Sequence, residues 1–225
     1  MEMLFEESEI TNVKPIRDIV YDKLRKAILE GRMKTGERIV EKEYADKLNI
    51  SRTPVREALR KLEIEGLVQY IPRKGVVVKG LCLKDIIEIY EIRKTLECLA
   101  VRNVIINITK EEIDKLKDIV KKMDEAEEAG DIESLYQISS NFHTALLNAS
   151  SMTRLRDMIN MLQDYSTYFT RTNIANDSRR SAAINEHRKI LSAIIEKDTD
   201  KAEKTVAKHI ENSRKAFIAG YQVNQ

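Results

Sequence analysis

The stretch ISRTPVREALRKLEIEGLV, residues 50–68, places Arg52, Arg56 and Arg60 in one helix-like run. Val55, Ala58, Leu59 and Leu62 recur at helical spacing, which predicts a helix docked on a core by one face. Thr53, Arg56, Glu57 and Arg60 then fall on the opposite half, with Arg52 at the helix start. Ser51 is expected to cap the first turn, and Pro54 is tolerated there because the earliest amides have no helical partner. A helix with a basic outer face and a fixed amino-terminal end is built to meet a polyanion.

The neighbouring residues complete a small domain. Pro15 predicts the opening of a helix to about Glu30, with Ile19, Leu24, Ala27 and Ile28 available to a core, broken by Gly31 and KTGER. VEKEYADKLN reads as a second, short helix with Tyr44, Ala45 and Leu48 as apolar contacts. Gly66 is a typical stop for the third. LVQYI and GVVVKG are strand-like runs separated by PRK, a hairpin with a basic tip. Three helices followed by a hairpin is the order of a winged helix-turn-helix, expected over residues 14–80, with 1–13 as an arm.

After Gly80 the pattern changes to long helices, expected near 84–107, 109–129, 131–149, 151–172, 178–196 and 198–219. The breaks NIT, AGD, ASS, TNIANDS and KDTD are short and polar, which implies an antiparallel bundle. The fold class expected is mainly α: an amino-terminal winged helix-turn-helix, then about six bundled helices over 81–225. Only 7 Gly and 3 Pro in 225 residues suit that reading.

The formal net charge of +2 conceals an asymmetry. Residues 11–80 hold 17 Lys and Arg against 10 Asp and Glu, whereas 81–225 hold 22 against 23. Localised basic charge favours a nucleic-acid-binding module joined to a neutral one. The start MEMLFEESEI lacks the basic and apolar regions of a signal peptide, and no apolar run reaches membrane-spanning length. Cys82 and Cys98 match no metal or redox spacing. A cytoplasmic protein with no membrane partner is expected.

The three histidines all lie in the second half, each on a different expected helix. His187 sits on a stripe with Ala183, Ile184, Ile190, Leu191 and Ile194. His209 follows Ala202 and Val206, and His143 shares a stripe with Tyr136, Ser139 and Leu147. Imidazoles on inward faces of neighbouring helices are either hydrogen-bonded core residues or ligands converging on one divalent transition metal, with zinc or nickel suited to nitrogen donors. Arg93 lies one turn before Glu97. It is expected either to pair with that residue or to reach a cavity and grip an effector carboxylate. Tyr136, Tyr165 and Tyr168 are further candidate cavity liners. Glu186 is expected to face away from His187, leaving a metal-dependent enzyme without a clear general base.

SRTPVREALRKLEIEGLV followed by IPRKGVVV closely resembles the DNA-binding domain of the GntR family of bacterial transcription regulators. IYEIRKTLE, NFHTALLNAS and the late histidines resemble the helical effector-binding (FCD) domain of its FadR-type branch, and the helix count resembles the shorter, VanR-like subgroup. The resemblance implies a homodimer that binds a palindromic double-stranded DNA operator. It implies DNA contacts from Lys42, Ser51, Arg52, Thr53 and Arg56, and from the wing tip Arg73, Lys74 and Gly75. Lys42 stands where arginine is usual. The resemblance also implies a metal on His143, His187 and His209, with Ser139 where the family carries an acidic ligand. A small organic acid effector would be met by Arg93, Tyr136 and Ser139. The rival readings are a metal-dependent enzyme and a DNA-binding protein with a purely structural metal.

Overall fold

In this computed structural model, the structure describes residues 14–175 and 177–223, with backbone only for 164, 166–175, 177 and 220–223. The chain divides into two compact units that meet between Leu81 and Cys82.

The first unit runs α1 (Ile16–Leu29), β1 (Arg38–Ile39), α2 (Glu41–Leu48), α3 (Arg52–Ile64), β2 (Val68–Ile71) and β3 (Gly75–Val78). Val55, Ala58 and Leu62 on α3 are fully buried and Leu59 nearly so. This is the face set by their spacing. They pack with Val20, Leu24, Ala27 and Ile28 of α1 and Ala45 of α2. Polar contacts pin α1 to the end of α3: Arg25 Nε donates to Glu65 at 2.9 Å, Tyr21 donates to the same carboxylate, and Lys61 pairs with Asp18. Two expected core contacts fall outside. Ile19 and Leu48 are exposed, Ile19 because Val20, the next residue on α1, takes the inward position. On α2, Ala45 alone is buried.

The turn between α2 and α3 depends on Asn49, whose left-handed φ of 53° ends α2 without a glycine. Ser51 holds the extended backbone of a helix cap, but its side chain makes no capping hydrogen bond. At the other end of α3, Gly66 adopts φ 74°, and Leu67 N–H donates back to Leu62 at 2.9 Å, closing the helix into β2. The sheet order is β1-β3-β2, all antiparallel. The hairpin is as expected. The pairing of Arg38 and Ile39 with β3 was not legible in the sequence, because two residues carry no alternation.

The second unit is α4 (Leu83–Asn107), α5 (Lys110–Glu128), α6 (Ile132–Ala149), α7 (Thr153–Ala175), α8 (Asp177–Ile195) and α9 (Thr199–Val223). The breaks act through their caps. Thr109 and Glu112 form a reciprocal capping box, Asp131 accepts from Ser134 N–H, and Asp198 accepts from Lys201 N–H. α4 packs on α6, α7 and α9, and α8 packs on α5 and α9. Ala100, Leu147, Leu155 and Ile159 form one cluster of the core, and Met123, Leu135, Phe142, Ile184 and Ile194 are buried elsewhere in it. No described helix is long and apolar enough to cross a membrane.

Two residues of α3 give a paired test. Leu62 is fully buried and Ile64 is 88% exposed. Leu62→Ala should destabilise the protein by about 2–5 kcal/mol, whereas Ile64→Ala should stay within about 0.5 kcal/mol. Urea denaturation of the two variants measures the difference.

Candidate functional site

Among the exposed cations of the first unit, those expected to meet DNA lie at three places. Lys42 lies in the first turn of α2, Ser51, Arg52, Thr53 and Arg56 lie at the start of α3, and Arg73 and Lys74 lie at the hairpin tip, all of them exposed. An α3 amino terminus adds unpaired amides suited to phosphate, and the unused Ser51 hydroxyl adds a further donor. At the tip, Arg73 has φ 68° and Gly75 φ 83°. A side chain at position 75 would be strained, and its Cβ would lie 3.8 Å from Arg38 Nε. Arg38 thus brings a cation to the wing from β1, a position missed in the sequence along with its strand. Arg56 is not free-standing, since its guanidinium grips Glu41 of α2.

In the second unit the three histidines come together. Their nitrogens lie within 4.8 Å of one another, contributed by α6, α8 and α9. The ring centroids are 4.8–5.1 Å apart, and Phe142 covers His187 at 4.7 Å. Nε2 of His187 is 3.2 Å from Nε2 of His143. His209 Nδ1 is 2.8 Å from Glu186, whose other oxygen accepts from Asn212 at 2.7 Å. Arg179 donates to Glu186 at 3.0 Å and to Ser213 at 3.1 Å.

Glu186 therefore does not face away from the cluster. Successive helical side chains diverge by only about 100°, so Glu186 turns toward α9 while His187 enters the core. The carboxylate orients His209: with the proton on Nδ1, the Nε2 lone pair is left for the cluster. The signal lay in α9, where His209, Asn212 and Ser213 interrupt an otherwise apolar inward stripe.

Burial holds the His187 and His209 imidazoles well below their ordinary 6.5, and the neighbouring rings and Arg179 push the same way. His143, half-buried, is also lowered by burial, partly offset by Glu97. The rings are therefore neutral near pH 7, the form in which imidazole binds metals. His187 Nδ1 is buried without a hydrogen-bond partner. Tetrahedral ligation at about 2.1 Å needs nitrogens roughly 3.4 Å apart; the His187–His143 pair, at 3.2 Å, is near that spacing, and the widest pair must close in from 4.8 Å. Neutral rings whose nitrogens converge, with Nε2 of His187 and of His143 already 3.2 Å apart, are a donor set that fits a divalent metal.

The other expected residues are placed as follows. Ser139 is buried one turn before His143, and no carboxylate joins the three-histidine group among the described residues. Arg93 is buried and donates to Glu97 from Nε at 3.0 Å and Nη2 at 2.8 Å, the local pair that its spacing allowed. Tyr136 is half-buried and Tyr165 buried, while the Tyr168 side chain lies outside the described residues.

A winged helix-turn-helix joined to a helical unit with a buried polar cluster defines a DNA-binding regulator with a sensing domain. The comparisons agree. Residues 16–78 match the model of bacterial regulatory proteins of the gntR family, and residues 88–212 match the FCD domain. The chain belongs to the GntR family and carries an FCD domain. It is 33% identical to the HTH-type transcriptional regulator YdhC of Bacillus subtilis, over 84% of this chain and 85% of that protein. It is 25% identical to the transcriptional repressor RspR of Escherichia coli, over 91% and 90% of the two chains. The solved structure of E. coli McbR/YncC superposes with a TM-score of 0.70 at 25% identity, covering 93% of this chain and all of that one. The protein is a ligand-responsive transcription regulator, and the enzyme reading of its histidines falls.

The depressed imidazole values set a pH dependence for metal-free protein. The unfolded chain takes up protons near pH 6.5 and the folded rings only at lower pH, so the unfolded state binds more protons between those values. Stability should be full above about pH 6.5 and fall as the pH drops below it. Urea midpoints of chelator-treated protein from about pH 7.5 to 5.5 should decline, with a smaller decline for His187→Leu.

Proposed function

We propose that this regulator binds a palindromic operator as a homodimer, in the cytoplasm, and that a small organic acid and a divalent metal in the FCD domain modulate its hold on DNA. The observation that carries the sensing half is the convergence of His143, His187 and His209, whose nitrogens lie within 4.8 Å of one another. The six helices α4–α9 support the VanR-like subgroup.

Arg52, at the start of α3, would address guanine O6 and N7 with two hydrogen bonds, a reading supported by its exposure at the helix start. Lys42, Thr53, the Ser51 hydroxyl and the wing residues Arg38, Arg73 and Lys74 suit phosphates, with Gly75 allowing close approach. Dimerisation is supported by Ile92, Leu99 and Ile106 of α4, which stand exposed at intervals of seven residues. The resemblance of RspR, a named repressor, supports repression as the mode of control.

His143, His187 and His209 would hold the metal, a zinc or nickel ion that supplies a Lewis-acidic centre with open positions for an anionic ligand. Ser139 contributes no charge where the family carries an acid, so three neutral rings leave the ion's charge uncompensated. That favours a carboxylate effector in a low-dielectric core. Arg93 and Tyr136 are the further residues proposed to meet it. Arg93 lies near enough to His143 and His209 for its charge to lower both, while Nε and Nη2 of its guanidinium donate to Glu97.

Two experiments test the two halves. Arg52→Ala should weaken operator binding and relax base preference, since one bidentate contact is worth about 1–3 kcal/mol. Titrations on matched and mismatched duplexes measure this, with two chains bound per operator. Undiminished specific binding would remove α3 as the reading helix. For the sensor, Ser139→Asp should raise zinc or nickel affinity and weaken an organic acid identified by thermal-shift screening, because the new carboxylate takes the open position. Calorimetry on both proteins decides, and two unchanged affinities would mean that position 139 does not face the metal.

A further inference from the structure

Glu41 opens α2 and Arg56 stands on the exposed half of α3, and their side chains meet across the helix-turn-helix. Arg56 Nε donates to both Glu41 oxygens at 3.2 and 3.1 Å, and Nη2 donates to Oε2 at 2.9 Å. The carboxylate thus holds one full edge of the guanidinium plane. Arginine has five donor hydrogens in a fixed fork. Glu41 engages the Nε edge, which leaves the Nη1 hydrogens and the outer Nη2 hydrogen for another acceptor. Arg56 remains 57% exposed, and with Arg60 and Tyr70 it lines an open cleft of about 300 Å³. The remaining edge therefore faces solvent.

Folding stability does not account for this pair. An exposed ion pair contributes little, since water and salt screen it and two side chains lose freedom. Its place is also unfavourable for general affinity. Residues 11–80 hold 17 basic against 10 acidic side chains, and Glu41 sets a negative charge beside Lys42 and Arg56, where phosphates would approach. A carboxylate there opposes every DNA sequence alike through phosphate repulsion. It also holds the guanidinium flat, with its outer edge presented end-on, and a planar fork held in advance loses less freedom when it pairs with a guanine.

We propose that Glu41 is a specificity-determining residue: it positions Arg56 for an end-on base contact and weakens binding wherever that contact is not made. Glu41 touches no base and acts through Arg56. The inference rests on the reading of α3 as the helix that enters the major groove.

The test uses the full-length protein and a duplex enriched by the wild type from a randomised pool, beside a scrambled duplex of equal length. Both are titrated at several salt concentrations. Glu41→Gln and Glu41→Ala should tighten binding to the scrambled duplex without tightening binding to the selected one. The ratio of the two affinities should fall about tenfold, the scale of one good base contact. The salt dependence on scrambled DNA should steepen by about one counterion as the released Arg56 takes a phosphate. In an Arg56→Ala background, Glu41→Ala should cause no further loss of discrimination. Glu41→Gln preserves the shape of the side chain, so a folding defect confined to Glu41→Ala leaves the test intact. The proposal is overturned if both Glu41 variants keep the wild-type ratio, or if the loss persists undiminished without Arg56. If no duplex is enriched, or Arg52→Ala binds as the wild type does, the reading of α3 fails instead.

Discussion

The sensing unit is organised by one constraint: a polar or ionisable side chain inside a helical core must be paired or neutral. An isolated buried charge costs many kcal/mol, whereas a neutral imidazole with one satisfied nitrogen costs little. The unit meets this in two ways. Arg93 and Glu97, both buried, neutralise one another along α4. Glu186 gathers Arg179, Asn212 and His209 around a single carboxylate. What remains is a set of rings whose charge is suppressed by burial and whose nitrogens converge. The same neutrality that lets three histidines stay in the core is the state in which imidazole can bind a metal at neutral pH.

The DNA-binding unit follows a different economy. Its core is small and apolar, and its polar groups lie on the outside, where they stabilise little and recognise much. Lys61 with Asp18 and Arg25 with Glu65 fasten α1 to α3 at the end away from the turn. The amino-terminal half of α3 keeps Arg52 and Thr53 exposed. The helix is anchored by its apolar face and its far end, so its near end is presented rigidly. Preorganised donors lose less freedom on binding than flexible ones do.

Much of this was legible in the sequence because helical periodicity is dense in it. The buried face of α3, the order of elements, the hairpin and the six later helices follow from apolar spacing and from Thr109, Asp131 and Asp198 at their caps. The misses are local. Ile19 and Leu48 satisfy a helical pattern but sit at its margins, where spacing alone does not decide burial. α4 is apolar on more than one side, with Tyr90 and Val101 buried while Ile92 and Ile106 are exposed, so its inward face is poorly marked. The histidines announced themselves by falling on apolar stripes. Glu186 did not, because a carboxylate beside a buried residue looks like an ordinary surface side chain until the neighbouring helix is known. Arg56 with Glu41, and Arg38 beside Gly75, are likewise tertiary meetings between residues 15 and 37 positions apart in the chain.

The two glutamates whose roles the sequence did not disclose, Glu41 and Glu186, perform the same physical task in opposite surroundings. Each grips a cationic or proton-bearing nitrogen and fixes the direction of the nitrogen opposite. For Glu186 the fixed group is buried, so the hydrogen bond operates at low effective dielectric and orients His209 firmly. For Glu41 the fixed group is exposed, so the pair adds little to stability, and its value lies in geometry and in the charge it sets against phosphate. A recognition surface of arginines alone would bind any polyanion. A core of histidines alone would leave the tautomer of each ring undetermined. In both places selectivity comes from the acid behind the base.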